Sequence, residues 1–62
     1  MAICVDKKKD ENDNIVGYYI NENSAEKPSY YDAEYLTTLL KTGKMKVENM
    51  KYDMLLHKVV FI

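Results

Sequence analysis

The sequence predicts an α+β fold of order β-β-α-β-β, an antiparallel sheet with one helix packed on a face. Apolar residues follow the period of two near both ends of the chain but take helical spacing between Asp32 and Gly43. Helix start and stop signals bracket that middle segment, and a run dense in Asn and Asp divides the first part into two strands. The 62 residues are assigned to one domain, with strands at about 2–6, 15–20, 45–52 and 56–62 and a helix at about 33–42.

The first strand reads Ala-Ile-Cys-Val-Asp, with Ile3 and Val5 on one face and Cys4 on the other. Lys7 to Asn14 is a polar turn, its three lysines balanced by Asp6, Asp10, Glu11 and Asp13. Residues 15–20, Ile-Val-Gly-Tyr-Tyr-Ile, have the β-branched and aromatic composition of a strand interior, so the two segments form a hairpin over about 2–21. A second polar stretch, Asn21–Ser29, leads to the helix.

Asp32 is placed as N-cap, Glu34 and Lys41 complement the helix dipole, and Tyr31 with Leu36 occupies the two positions of a hydrophobic staple. Gly43 fits the left-handed residue after the last turn. Ala33, Leu36, Leu39 and Leu40 form the apolar face. Beyond Gly43, Met45 and Val47 alternate with polar residues, then Met50, Tyr52 and Met54 continue in the opposite phase. That flip predicts a bulge or bend at Glu48–Asn49 in a continuous strand. The last turn falls near residues 53–56. The apolar run 59–62 pairs with the 45–52 strand, with no polar tail to shield it. If this strand lies at the sheet edge, its free side is a template for a second subunit or a partner strand.

Composition narrows the function classes. The chain is 47% hydrophobic and 31% charged with a net charge of −1, which excludes low-complexity, highly charged disordered and polycationic proteins. No apolar run approaches the length of a membrane helix, so no membrane partner is expected. One Cys and one His permit no intramolecular disulfide and supply two of the four ligands a structural zinc site needs. Neither metal nor cofactor is expected, and the lack of a disulfide framework points to a reducing, cytoplasmic setting. Domains this small have a thin stability margin, which makes self-association a natural outcome.

Several segments together resemble a group of small uncharacterised proteins of bacterial mobile elements, such as the phages and conjugative transposons of Firmicutes. These segments are Gly17-Tyr18, then Ala33-Glu34-Tyr35-Leu36 ahead of Leu39-Leu40, then Gly43-Lys44-x-x-Val47-x-Asn49-x-Lys51, and the final apolar strand. The resemblance covers residues 15–62. It departs where Met50 stands for the usual Leu and where a Thr-Ser-Asp-Gly turn is missing afterwards. It implies the same fold and a mobile-element accessory protein, with no activity to carry over.

Candidate chemistry is sparse. Asp10, Asn12 and Asn14 have the opening spacing of an EF-hand loop, but Ile15 and Asn21 stand where its Gly and bidentate Glu belong, so an ordinary turn is the reading. Cys4 and His57 lack an orienting third group, and nothing pairs two carboxylates in a cleft. The chain is therefore read as a non-enzyme. Six tyrosines supply the first binding candidate: Tyr18, Tyr19, Tyr30 and Tyr52 as a protein interface or, equally, as cross-strand aromatic packing. Since Tyr18 and Tyr19 are adjacent in a strand, they point to opposite faces. The second candidate is the lysine concentration Lys41, Lys44, Lys46 and Lys51, a nucleic-acid contact or the solubilising face of a strand. The expected function is non-enzymatic binding to an unidentified protein, or weak homodimerisation. Nucleic-acid binding through the four lysines is the alternative.

Overall fold

Strand β1 (Ile3–Lys9) runs to a tight turn and returns as β2 (Ile15–Asn21), the hairpin that the alternating apolar segments predict. The computed structural model describes residues 1–23 and 26–62; Ser24 and Ala25, inside the polar stretch Asn21–Ser29, lie outside the described residues. Pairing extends through Lys9, opposite Ile15, so Lys7, Lys8 and Lys9 belong to the strand rather than to the turn expected there. Register shifts between Cys4 and Asp6 and between Lys8 and Lys9 leave Val5 and Val16 as bulge residues. The turn itself is local chemistry. Asp10 Oδ1 accepts from the Asn12 and Asn14 amides, both at 2.9 Å, while Asp13 takes the left-handed conformation at φ 66°.

A third strand, β3 (Ser29–Asp32), follows and pairs antiparallel with β2, giving a sheet of order β1-β2-β3. The sequence reading does not contain this strand. Four residues ahead of a helix give too little alternation to show, and the pairing of Tyr18 with Tyr31 and of Tyr19 with Tyr30 makes it a strand. Asp32 ends β3 and at once caps α1 (Ala33–Lys41), its carboxylate accepting from the Glu34 amide at 3.2 Å.

The helix ends as predicted. The Gly43 amide donates to Leu40 O at 3.3 Å and the Lys44 amide to Leu39 O at 3.0 Å, a Schellman closure that holds Gly43 at φ 75°. Leu36 is fully buried, and Ala33 and Leu40 pack beside it; Leu39 is only half-buried and stands outside the core.

The continuous strand expected at 45–52 is two pieces. Val47 bridges Ala2, the chain turns through Glu48 and Asn49, and the Met50 amide donates back to Val47 O at 3.3 Å. A reversal rather than a bulge thus explains the flip in phase. Strand β4 (Met50–Asp53) and β5 (Lys58–Phe61) then pair as a separate two-stranded sheet, with Lys51 opposite Val60 and Tyr52 opposite Val59. The α+β class and the strand–helix–strand order stand, with the strands divided between two sheets. Helix and C-terminal hairpin share the covered side of the three-stranded sheet. Cys4, Tyr18, Ile20, Leu36, Val47 and Met50 form the core there, with Val59 against them.

Asn49 joins the two sheets. Its side-chain amide donates to Cys4 O at 3.0 Å and accepts from the Cys4 amide at 2.9 Å, so it pairs with β1 as another strand would. Its own carbonyl accepts from the Ile62 amide at 3.1 Å.

Candidate functional site

The four candidate tyrosines separate. Tyr18 is 7% exposed and its ring meets Phe61 at 6.2 Å, so it is a core residue and offers nothing to a partner. Tyr19, next in β2, turns to the uncovered face and packs against Tyr30 at 5.2 Å between ring centroids. Tyr30 is 46% exposed and lies across Gly17, where any Cβ would collide with its ring and hydroxyl. Gly17 is what lets that aromatic lie down on the sheet. The Tyr30 hydroxyl donates to Val16 O at 3.3 Å, and the Lys8 ammonium stands 5.7 Å from the Tyr30 ring. Half-buried Tyr19 and exposed Tyr30 thus form a cross-strand aromatic pair on that face. Tyr52 lies elsewhere, in β4.

The lysines converge on that second region. A groove of about 340 Å³ opens between the end of α1, the segment after it, and β4. Leu40, Met45, Val47 and Met50 floor it, and Lys46, Lys51 and Tyr52 complete the wall. Lys41, on the last turn of α1, holds its ammonium 5.7 Å from the Tyr52 ring, and Lys44 follows the Gly43 that lines the groove. Among the described residues the one ion pair is Lys9 with Asp13, so none of these four lysines is neutralised by a carboxylate contact. Charge is unevenly divided along the chain. Residues 1–40 hold eight acids and four lysines, while residues 41–62 hold five lysines against Glu48 and Asp53.

The same end of the molecule carries an apolar turn. The turn between β4 and β5 displays Met54, Leu55 and Leu56 at 67%, 91% and 59% exposure. Side-chain hydrogen bonds shape its backbone. Asp53 Oδ1 accepts from the Leu55 amide at 2.9 Å and the Leu56 amide at 3.0 Å, and His57 adopts the left-handed conformation at φ 54°. Those two amide bonds, with Lys51 and His57 nearby, hold the Asp53 carboxyl below its ordinary range. The turn spans residues 54–57, close to the expected 53–56, and Leu56, expected to open the last strand, belongs to the turn instead.

The remaining candidates do not assemble. Cys4 is buried, which pushes its thiol up, and Sγ donates to Asp6 O at 3.3 Å; His57 sits on the exposed turn. Asp10 spends its carboxylate on the amides of its own turn. No group of three metal-ligating side chains is found among the described residues. Among the described residues no helix is long and apolar enough to cross a membrane. Comparison with protein-family models, with curated proteins and with solved structures finds no match to this chain.

Proposed function

We propose that this chain is a non-catalytic accessory protein, encoded on a mobile element and acting in the cytoplasm, that works by docking on a protein partner. The observation that carries the reading is the Tyr19–Tyr30 pair on the uncovered face of the three-stranded sheet, held in place by Gly17. Tyrosine combines large contact area with a polar tip and little entropy to lose, which suits a recognition surface. The buried thiol of Cys4 and the exposed position of His57 support binding rather than nucleophilic chemistry.

The alternative, nucleic-acid contact through Lys41, Lys44, Lys46 and Lys51, draws support from the groove that collects Lys46, Lys51 and Tyr52 beneath Lys41. Affinity capture from the source cells separates the two. Wild type and a Tyr30→Ser variant, each shown folded by circular dichroism, serve as bait with and without nuclease. A protein retained by wild type, lost with Tyr30→Ser and indifferent to nuclease supports the protein-docking reading. Retention that nuclease abolishes transfers the function to the lysines.

A further inference from the structure

We infer that the β4–β5 end is a peripheral docking site for an anionic lipid bilayer, with Met54, Leu55 and Leu56 entering the interface and the surrounding lysines meeting the headgroups. This goes beyond the protein-docking reading and uses a different surface. No helix among the described residues is long and apolar enough to cross a membrane, but an interfacial contact needs only a small apolar wedge and adjacent positive charge.

The argument starts from what the turn does not require. The β1–β2 turn achieves its geometry with an Asp accepting two downstream amides and one left-handed residue, and its content is wholly polar: Asp-Glu-Asn-Asp-Asn. The β4–β5 turn uses the same devices, Asp53 and His57, so nothing in the backbone calls for Met-Leu-Leu between them. Three consecutive apolar side chains left in water are a cost with no return inside the chain. The hydrogen bonds that Asp53 accepts from the Leu55 and Leu56 amides hold the backbone that carries them.

Charge then selects among occupants. Lys58 pairs opposite Asp53 at the base of the turn, Lys51 stands on the neighbouring strand, and Lys46 shares the groove with Lys51. The one acid at the turn, Asp53, is folded back on the Leu55 and Leu56 amides. A second copy docked through this end would bring like charges together. Bases stack on exposed aromatic rings, whereas the projecting Met54, Leu55 and Leu56 carry no ring, His57 is the turn's one imidazole, and the nearby Tyr52 is half-buried beneath Lys41. Protein interfaces favour Arg and disfavour Lys; this region has five lysines and the chain no arginine. Flexible ammonium groups around an aliphatic tip fit a diffuse anionic surface.

Vesicle co-sedimentation of the full chain provides the test. Vesicles of phosphatidylcholine containing phosphatidylserine are expected to carry the protein down, and pure phosphatidylcholine vesicles to leave it in solution. Leu55→Ser, at a side chain too exposed to affect folding, is expected to lower partitioning by about ten-fold. Lys51→Gln is expected to lower it by about five-fold, an effect that fades as salt is raised. Tyr30→Ser, on the other side of the sheet, should bind vesicles as wild type does; so failure at Tyr30 and failure at Leu55 report on different proposals. Equal binding to neutral vesicles, wild-type binding by Leu55→Ser, or displacement by a single-stranded oligonucleotide at similar concentration would each overturn the inference.

Discussion

The two hairpins of this chain use one turn chemistry and live by different rules. Both reverse through an Asp whose carboxylate accepts two amides, Asp10 in the first and Asp53 in the second, and both place one non-glycine residue in the left-handed region. The first hairpin has seven-residue strands, gains β3 as a third strand, and supplies Cys4, Tyr18 and Ile20 to the core. The second has four-residue strands and, among the described residues, gains only an isolated bridge from Met50 to Val47. A two-stranded ribbon of that size is marginal alone in water. The second hairpin therefore depends on what it is tied to, and its turn is left to carry surface chemistry.

The largest effect is expected where both regions share a support. Leu36 is fully buried between the helix and the sheet. Leu36→Ala should cost about 2–5 kcal/mol, comparable to the whole stability of a small domain. Thermal melting should show loss of both hairpins together; a surviving C-terminal hairpin would contradict its dependence on the core.

Asn49→Ala tests the tie itself. The substitution leaves the amide and carbonyl of Cys4 without their side-chain partner, which should cost about 1–3 kcal/mol. Hydrogen exchange should reveal asymmetry: the β4–β5 amides lose more protection than those pairing β1 with β2. Uniform loss would mean that the two sheets open as one unit.

How far the sequence discloses these regions follows from where the determinants lie. The β1–β2 hairpin and helix α1 are legible because their signals are local: the Asp-rich turn, Asp32 before the helix, Gly43 after it. Strand β3 and the reversal at Glu48–Asn49 are not, because partners distant in the chain make them what they are. Asn49 pairs with Cys4 across 45 positions, and no local pattern announces that contact. Of the candidate site, adjacency alone predicts that Tyr18 and Tyr19 face opposite ways. Which of them is covered depends on where the helix and Phe61 pack. The convergence of Lys46 and Lys51 is visible as a concentration, and the last turn is legible near residues 53–56; the exposure of Met54, Leu55 and Leu56 on it is not, because it depends on what packs around them.

Smaller substitutions sharpen the same contrast at the glycines. Gly43→Ala meets open space but must hold φ 75°, a purely conformational penalty of about 1 kcal/mol. Gly17→Ala faces a filled site instead, since its Cβ would strike the Tyr30 ring. It should displace that ring from the sheet, visible as a loss of the upfield ring-current shift at Gly17 and its neighbours, with melting lowered only modestly.

The smallest effects are pH effects, and they put the two regions at opposite ends of the scale. The Asp53 carboxyl is held below its ordinary range by the Leu56 and Leu55 amides. Its contribution is present above its unfolded value and is lost as pH falls through the depressed folded value. Acid should therefore loosen the β4–β5 turn first. On the other side, the Tyr31 hydroxyl donates to the Glu22 carboxylate, and that bond with some burial pushes the phenol up to about 12. A raised phenol pKa means that the unfolded chain releases this proton first, near its ordinary value of 10. The stability that the neutral phenol supplies is present below that value and is lost as pH rises toward 12. Tyr31→Phe removes the bond while keeping the ring stacked on Tyr35, 6.1 Å away. The variant should be slightly less stable than wild type at neutral pH, with the gap closing between pH 10 and 12 in parallel urea titrations. A gap that stays constant across that range would show that the Glu22–Tyr31 bond does not contribute to holding β3 against β2.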